Sequence, residues 1–180
     1  MSKDAVKESL AGCLENAVQA PALGGIAMDV VWALAKLAPV DVVVDSWWFK
    51  PRDLAFARTG IARAGARRVV EVWCDIPADV ARSRYVARGR PAIYRDRQRL
   101  AENWDDWAAR ATPLGMGPVL FVDTTQAIDH AVLASRVLAG RPLARSHHFE
   151  TEPSGMSVRG GGTMAFTSGS RMPSENWNTL

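Results

Sequence analysis

The chain has 180 residues, 48% hydrophobic and 23% charged, which is the composition of one ordinary globular domain. The formal charge is only +3, which argues against the broad basic face of a general nucleic-acid binder, yet eleven of the 22 basic residues fall within residues 61–111, a local excess that suggests an anionic ligand. No apolar run reaches the roughly 18 residues of a membrane span, the N-terminus lacks a signal-peptide pattern, and the two cysteines, Cys13 and Cys74, suit reduced thiols in a cytoplasmic protein better than a disulfide framework or a zinc site.

Apolar side chains at Val6, Leu10, Leu14 and Val18 form one stripe and predict a helix over 3–19. The segment 22–38 again has helical spacing, weakened at Gly24 and Gly25 and ended by Pro39. DVVVD (41–45) and RVVEVWCD (68–75) read as strands buried on both faces, with a helix over 52–64 between them. Pro77 starts a helix that should run through Arg88 to Gly89. A basic loop, a helix near 95–111, a third strand PVLFVD (118–123) and an amphipathic helix over 126–139 complete the pattern. Strands separated by helices predict an α/β fold with a parallel sheet.

The domain so defined covers residues 1–143. Residues 144–180, rich in Gly, Ser, Thr and Pro with no sustained period, read as a disordered tail. Its GGG at 160–162 has no strand before it and no lysine after it, so it is not read as a phosphate cradle.

The stretch RSRYVARGR (82–90) holds four arginines. On a helix, Arg84 and Arg88 lie four apart and share a face, while Arg82 lies on another. With Arg90 in the following loop they suit a multidentate clamp on a polyanion such as a triphosphate. Spacing alone equally allows a solvated helix end whose cations complement the helix dipole.

The order of strand, Cys-Asp, Pro, R-x-x-x-R helix, basic loop, long helix, Pro and VLFVDTT resembles the C-terminal half of small P-loop kinases. That group includes polynucleotide 5′-kinases, gluconate-kinase-like enzymes and zeta-toxin-like phosphotransferases. The resemblance implies ATP and magnesium as cofactors, with Arg84, Arg88 and Arg90 on the nucleotide and Arg88 also acting on the transferring phosphate. DVVVDSWWFKPRD resembles the family's strand with a Walker-B-type acid, so Asp45 would face the magnesium or the acceptor. An aspartate at a strand's carboxyl end suits that role, and also suits a simple turn. Trp47 would line an acceptor pocket, or belong to the core. SKDAVKESL resembles the family's acceptor motif, which makes Asp4 the general base and Lys7 a ligand for the acceptor; a capped helical turn with a solvated lysine is the plainer reading of the same residues.

The family's defining G-x-x-x-x-G-K-[ST] is absent. GIARAGARR (60–68) has the glycine spacing but Ala66 and Arg67 where lysine and hydroxyl are required, and it joins a helix to a strand. In the family the strand before the phosphate loop lies between the partners of 41–45 and 68–74. Its absence predicts an incomplete sheet with both those edges open and aggregation-prone. A truncated chain, a degenerate binding module and a smaller rearranged α/β domain all fit, truncation best. The expected activity is ATP-dependent phosphorylation of a hydroxyl on a small molecule, doubtful for this chain alone. The alternatives are a non-catalytic nucleotide- or phosphate-binding module and a fragment of a polynucleotide 5′-end kinase. A basic channel would favour nucleic acid, and an enclosed aromatic pocket near Trp47 a small acceptor.

Overall fold

The computed structural model describes residues 1–14 and 22–139 in full, and the backbone of residues 163–169. Helix α1 (Lys3–Ala11) is capped by the Ser2 hydroxyl, which accepts the Ala5 amide, and carries Asp4 in its first turn, where an acid complements the helix dipole. Its described turns end at Ala11, and residues 15–19 of the longer helix predicted from the sequence lie outside the described residues. Helix α2 (Leu23–Leu37) and helix α3 (Lys50–Ala64) pack against each other. A Cβ on Gly60 would run into the Trp32 ring, so the close approach of α3 to α2 requires glycine there. Gly65 ends α3 in the left-handed conformation, at φ 73°.

Four strands form one parallel sheet: β1 (Val42–Asp45), β2 (Arg68–Asp75), β3 (Val119–Asp123) and β4 (Thr163–Gly169), in the spatial order β1-β4-β2-β3. This corrects two expectations. Residues 163–169 are a strand rather than part of a disordered tail, the rest of 144–180 lying outside the described residues. The edges of β1 and β2 that face one another are closed, because β4 pairs with both, Ala165 standing opposite Val43 on one side and Val70 on the other. TMAFTSG is short and β-branched or aromatic at only three positions, so its local signal is weak. Two unpaired parallel edges supply the hydrogen-bonding partners that settle it. On the outer side of β1, the Asp45 amide donates to the Met1 carbonyl at 2.9 Å and Ser2 bridges to Asp45 in parallel.

The main core lies where α2 and α3 meet the sheet, around Val31, Trp32, Val44, Ala57, Val69 and Leu114, with Trp32 and Trp48 stacked at 5.9 Å. Strand β2 is buried from Val69 through Trp73, as expected for a covered parallel strand. β1 is not: Val42 and Val44 are buried, whereas Val43 is 53% exposed, so the alternation of a one-sided strand replaces the two-sided burial predicted. Buried Glu71 accepts the amides of Leu114 and Gly115, at 2.7 and 2.9 Å, and so fixes the turn into β3. Helix α4 (Ala78–Ala87), a 3-10 turn (Ala92–Tyr94), helix α5 (Asp96–Arg110) and helix α6 (His130–Ala139) are the other elements of the described residues. Phe49, Tyr85 and Trp107 form a second apolar cluster that joins α4 and α5 to the loop leaving β1. Among the described residues, no helix is long and apolar enough to cross a membrane.

Candidate functional site

β1, β2 and β3 each end on an aspartate, and ligands of open parallel sheets bind beyond such carboxyl ends. The three have different surroundings. Asp123 accepts the amide and hydroxyl of Thr125, at 2.8 and 2.7 Å, and these bonds hold its carboxyl below the usual range; it shapes a turn. Asp45 ends β1, beside the bridge to Ser2, and its charge reaches the Cys74 thiol. Burial first, and then Asp45, push that thiol up to about 11. The Asp75 carboxylate is exposed and makes no hydrogen bond or ion pair among the described residues.

The arginines do not form the shared helical face expected of them. Helix α4 stops at Ala87, and Arg88, with φ −76° and ψ 123°, is already extended, so its side chain leaves the direction of Arg84. Arg84 donates to the Thr124 carbonyl at 3.0 Å and ties α4 to the loop after β3. Arg88 lies over the Tyr85 ring at 4.2 Å, with Nε 3.6 Å from Asp96. Burial lowers its pKa, and the neighbouring charge of Arg90 acts in the same direction.

Arg90 is the hub. Its Nε and one terminal nitrogen donate to the two carboxylate oxygens of Asp96, at 2.9 and 2.6 Å, a bidentate fork. The other terminal nitrogen donates to Asp4 at 2.9 Å, and the guanidinium lies 3.9 Å over the Tyr94 ring. Tyr85 donates a further bond to Asp96 at 2.8 Å. Burial alone would raise the Asp96 pKa, but the bonds from Arg90 and Tyr85 outweigh it and hold the carboxyl below its ordinary range. Burial would lower the Arg90 pKa, but the bonds and charge of Asp96, with the charge of Asp4, hold it above its ordinary value.

Lys7 belongs to this cluster and is buried, not solvated. Its Nζ donates to the Ile93 carbonyl at 3.0 Å and lies 4.4 Å from the centre of the Tyr94 ring. Burial, followed by the charges of Arg99 and Lys3, brings its pKa down to about 8. Tyr94 donates to Glu8 at 2.9 Å. Thus Asp4, Lys7, Arg88 and Arg90 come together through Tyr85, Tyr94 and Asp96, three residues that the sequence reading did not select. Asp96 could have been noticed as an acid opening a helix, but its pairing across the fold had no local signal.

Trp47 lines a cleft of about 230 Å³ at the end of β2, together with Trp73, Trp104, Trp107, Cys74 and Asp75, and the Trp104 and Trp107 rings also meet Tyr85, at 6.4 and 6.3 Å. The Trp47 and Trp107 rings meet edge-on at 6.0 Å and 67°. Asp53 accepts the Phe49 amide at 2.8 Å and thereby fixes the loop on which Trp47 rides. Trp104 and Trp107 were missed because their spacing in α5 reads as an ordinary core stripe.

Among the described residues no three His, Cys, Asp or Glu side chains cluster to hold a metal. Magnesium at a nucleotide is usually held by one or two carboxylates and phosphate oxygens, so Asp45 at a strand end fits that role without a cluster. No protein-family model, no curated protein and no solved structure matches the chain.

Proposed function

We propose that this fold serves ATP-dependent phosphoryl transfer to a hydroxyl on a small molecule, in the manner of the P-loop kinases that the arginine and acceptor segments resemble. The observation that carries the reading is convergence. Ser2, two residues before Asp4, bridges to Asp45 at the end of β1, Arg90 reaches Asp4, and Arg84 reaches the loop after β3, so these cations and carboxylates are tied to the carboxyl ends of β1 and β3. The sheet agrees with the resemblance only in having a strand between β1 and β2; in the family that strand opens the domain and precedes the phosphate loop, whereas β4 follows β3 in the chain.

Bound ATP with magnesium would supply the electrophilic terminal phosphorus. Asp45 would hold the metal, while Arg84, Arg88 and Arg90 would offer donors to phosphate oxygens. The acceptor hydroxyl forms the new bond to phosphorus as the bond to the bridging oxygen breaks; ADP leaves, and Asp4 takes the hydroxyl proton. Asp4 and Asp96 occupy the Arg90 fork with carboxylates, so phosphate would enter by displacing Asp4, the more exposed of the two, at 41% against 18%. The setting proposed is the cytoplasm. The absence of G-x-x-x-x-G-K-[ST] favours a second reading, a nucleotide-binding module without turnover.

Equilibrium dialysis of the 180-residue chain with ATP and magnesium tests both. Saturable, salt-sensitive binding that weakens about tenfold in Arg84→Ala, as loss of a charged hydrogen bond predicts, supports the nucleotide site. Transfer of phosphate to an alcohol then separates enzyme from module. Absence of ATP binding refutes both readings.

A further inference from the structure

The cleft at the end of β2 has a composition that the reaction above does not explain. Four of the seven tryptophans line it. Two of them, Trp47 and Trp107, stand at 67° to one another, so they offer walls in different directions rather than a parallel slot for one flat ring. The exposed Asp75 carboxylate also lines it and has no partner among the described residues. Indole faces carry negative quadrupole potential, and a carboxylate adds a full negative charge. Together they attract a cation of low hydration. A volume of about 230 Å³ lies below the usual range for drug-sized ligands, so the occupant is small.

We propose that this cleft binds a small alkylammonium ion, its charge met by Asp75 and by the faces of the surrounding tryptophans. Resting on the phosphotransferase reading, this makes the acceptor an amino alcohol. Trp47 lies two residues after Asp45, so the loop that walls the cleft is also the one that leaves the proposed metal-binding end of β1. A cation held in the cleft would direct its hydroxyl toward that end.

The test compares choline with its uncharged isostere 3,3-dimethylbutan-1-ol, by tryptophan fluorescence and calorimetry on the whole chain without ATP. Choline should bind about tenfold more tightly than the isostere, the preference expected of a partly desolvated cation–π site. Asp75→Asn, which removes the Coulomb attraction to the cation, should lower choline affinity about fivefold and leave the isostere unchanged. Ala111→Leu, which fills the lining, should abolish both while circular dichroism stays native. Choline should also slow alkylation of Cys74, which shares the lining, and not of exposed Cys13. Equal affinity for choline and isostere, or no binding of either, overturns the cation site whatever ATP does. Choline binding without phosphate transfer in the presence of magnesium and ATP leaves the cation site standing and removes only its assignment to an acceptor.

Discussion

Replacing Asp96 by alanine removes the acceptor of three hydrogen bonds, two from Arg90 and one from Tyr85, and the ion-pair partner of Arg88. It leaves two guanidiniums about four-fifths buried, since their side chains are only 20% and 21% exposed. An exposed ion pair is worth about 0–1 kcal/mol, whereas breaking a fully buried one costs about 3–5 kcal/mol. Partial exposure and the remaining Asp4–Arg90 pair put the expected loss at about 2–4 kcal/mol. At a urea slope of about 2 kcal/mol per molar, the midpoint should fall by about 1–2 M with the slope unchanged. Asp96→Asn, which keeps one acceptor, should lose less. The sign with pH is fixed by the depressed carboxyl: its contribution is complete above the unfolded value near 3.9 and disappears as pH falls through the lower folded value, so acid should narrow the gap between wild type and Asp96→Ala. A loss below about 1 kcal/mol near pH 7 would refute the argument that this network ties α4 and α5 to α1.

Ala165→Pro removes the amide at the middle of β4, between β1 and β2, and should cost about 3 kcal/mol or more; an unchanged thermal midpoint would contradict the pairing of β4 with both neighbours. Lys7, with its folded pKa near 8 against 10.5 for the free side chain, is less readily protonated in the folded state, so its contribution to stability rises with pH across that interval. Lys7→Met should flatten the rise, as read from unfolding midpoints between pH 7.5 and 10. At pH 8, iodoacetamide should modify exposed Cys13 well before Cys74, whose thiol is held up near 11; mass spectrometry that finds equal rates would count against that environment.

Periodicity carried the parts of this fold that depend on neighbours in sequence. The helices at 23–37, 50–64, 78–87 and 96–110 and the strands at 42–45, 68–75 and 119–123 lie close to their expected ranges, because each is a local apolar pattern bounded by Pro, Gly or Asp. β4 was not legible, since its seven residues acquire their partners from distant strand edges. Val43 illustrates a limit of another kind: DVVVD says strand, but which faces are covered depends on the packing of helices elsewhere. The site divides in the same way. The spacing of Arg84 and Arg88 was visible, but the end of α4 at Ala87 sends them to Thr124 and Asp96. Arg90 looked like a free loop cation, and two carboxylates, one from α1 and one from α5, already occupy it.

The position of β4 also sets the order of events in assembly. In a chain made from its N-terminus β1, β2 and β3 emerge before β4, and the register that pairs Val42 with Met164 joins residues 122 apart in sequence. Closing so long a loop is entropically slow, and parallel pairing offers no hairpin to shorten the search. Until it closes, two strand edges remain side by side with a gap of one strand between them. The sheet therefore has a keystone that arrives last, and the waiting period, more than the finished fold, is when the protein is most exposed to pairing with the wrong strand.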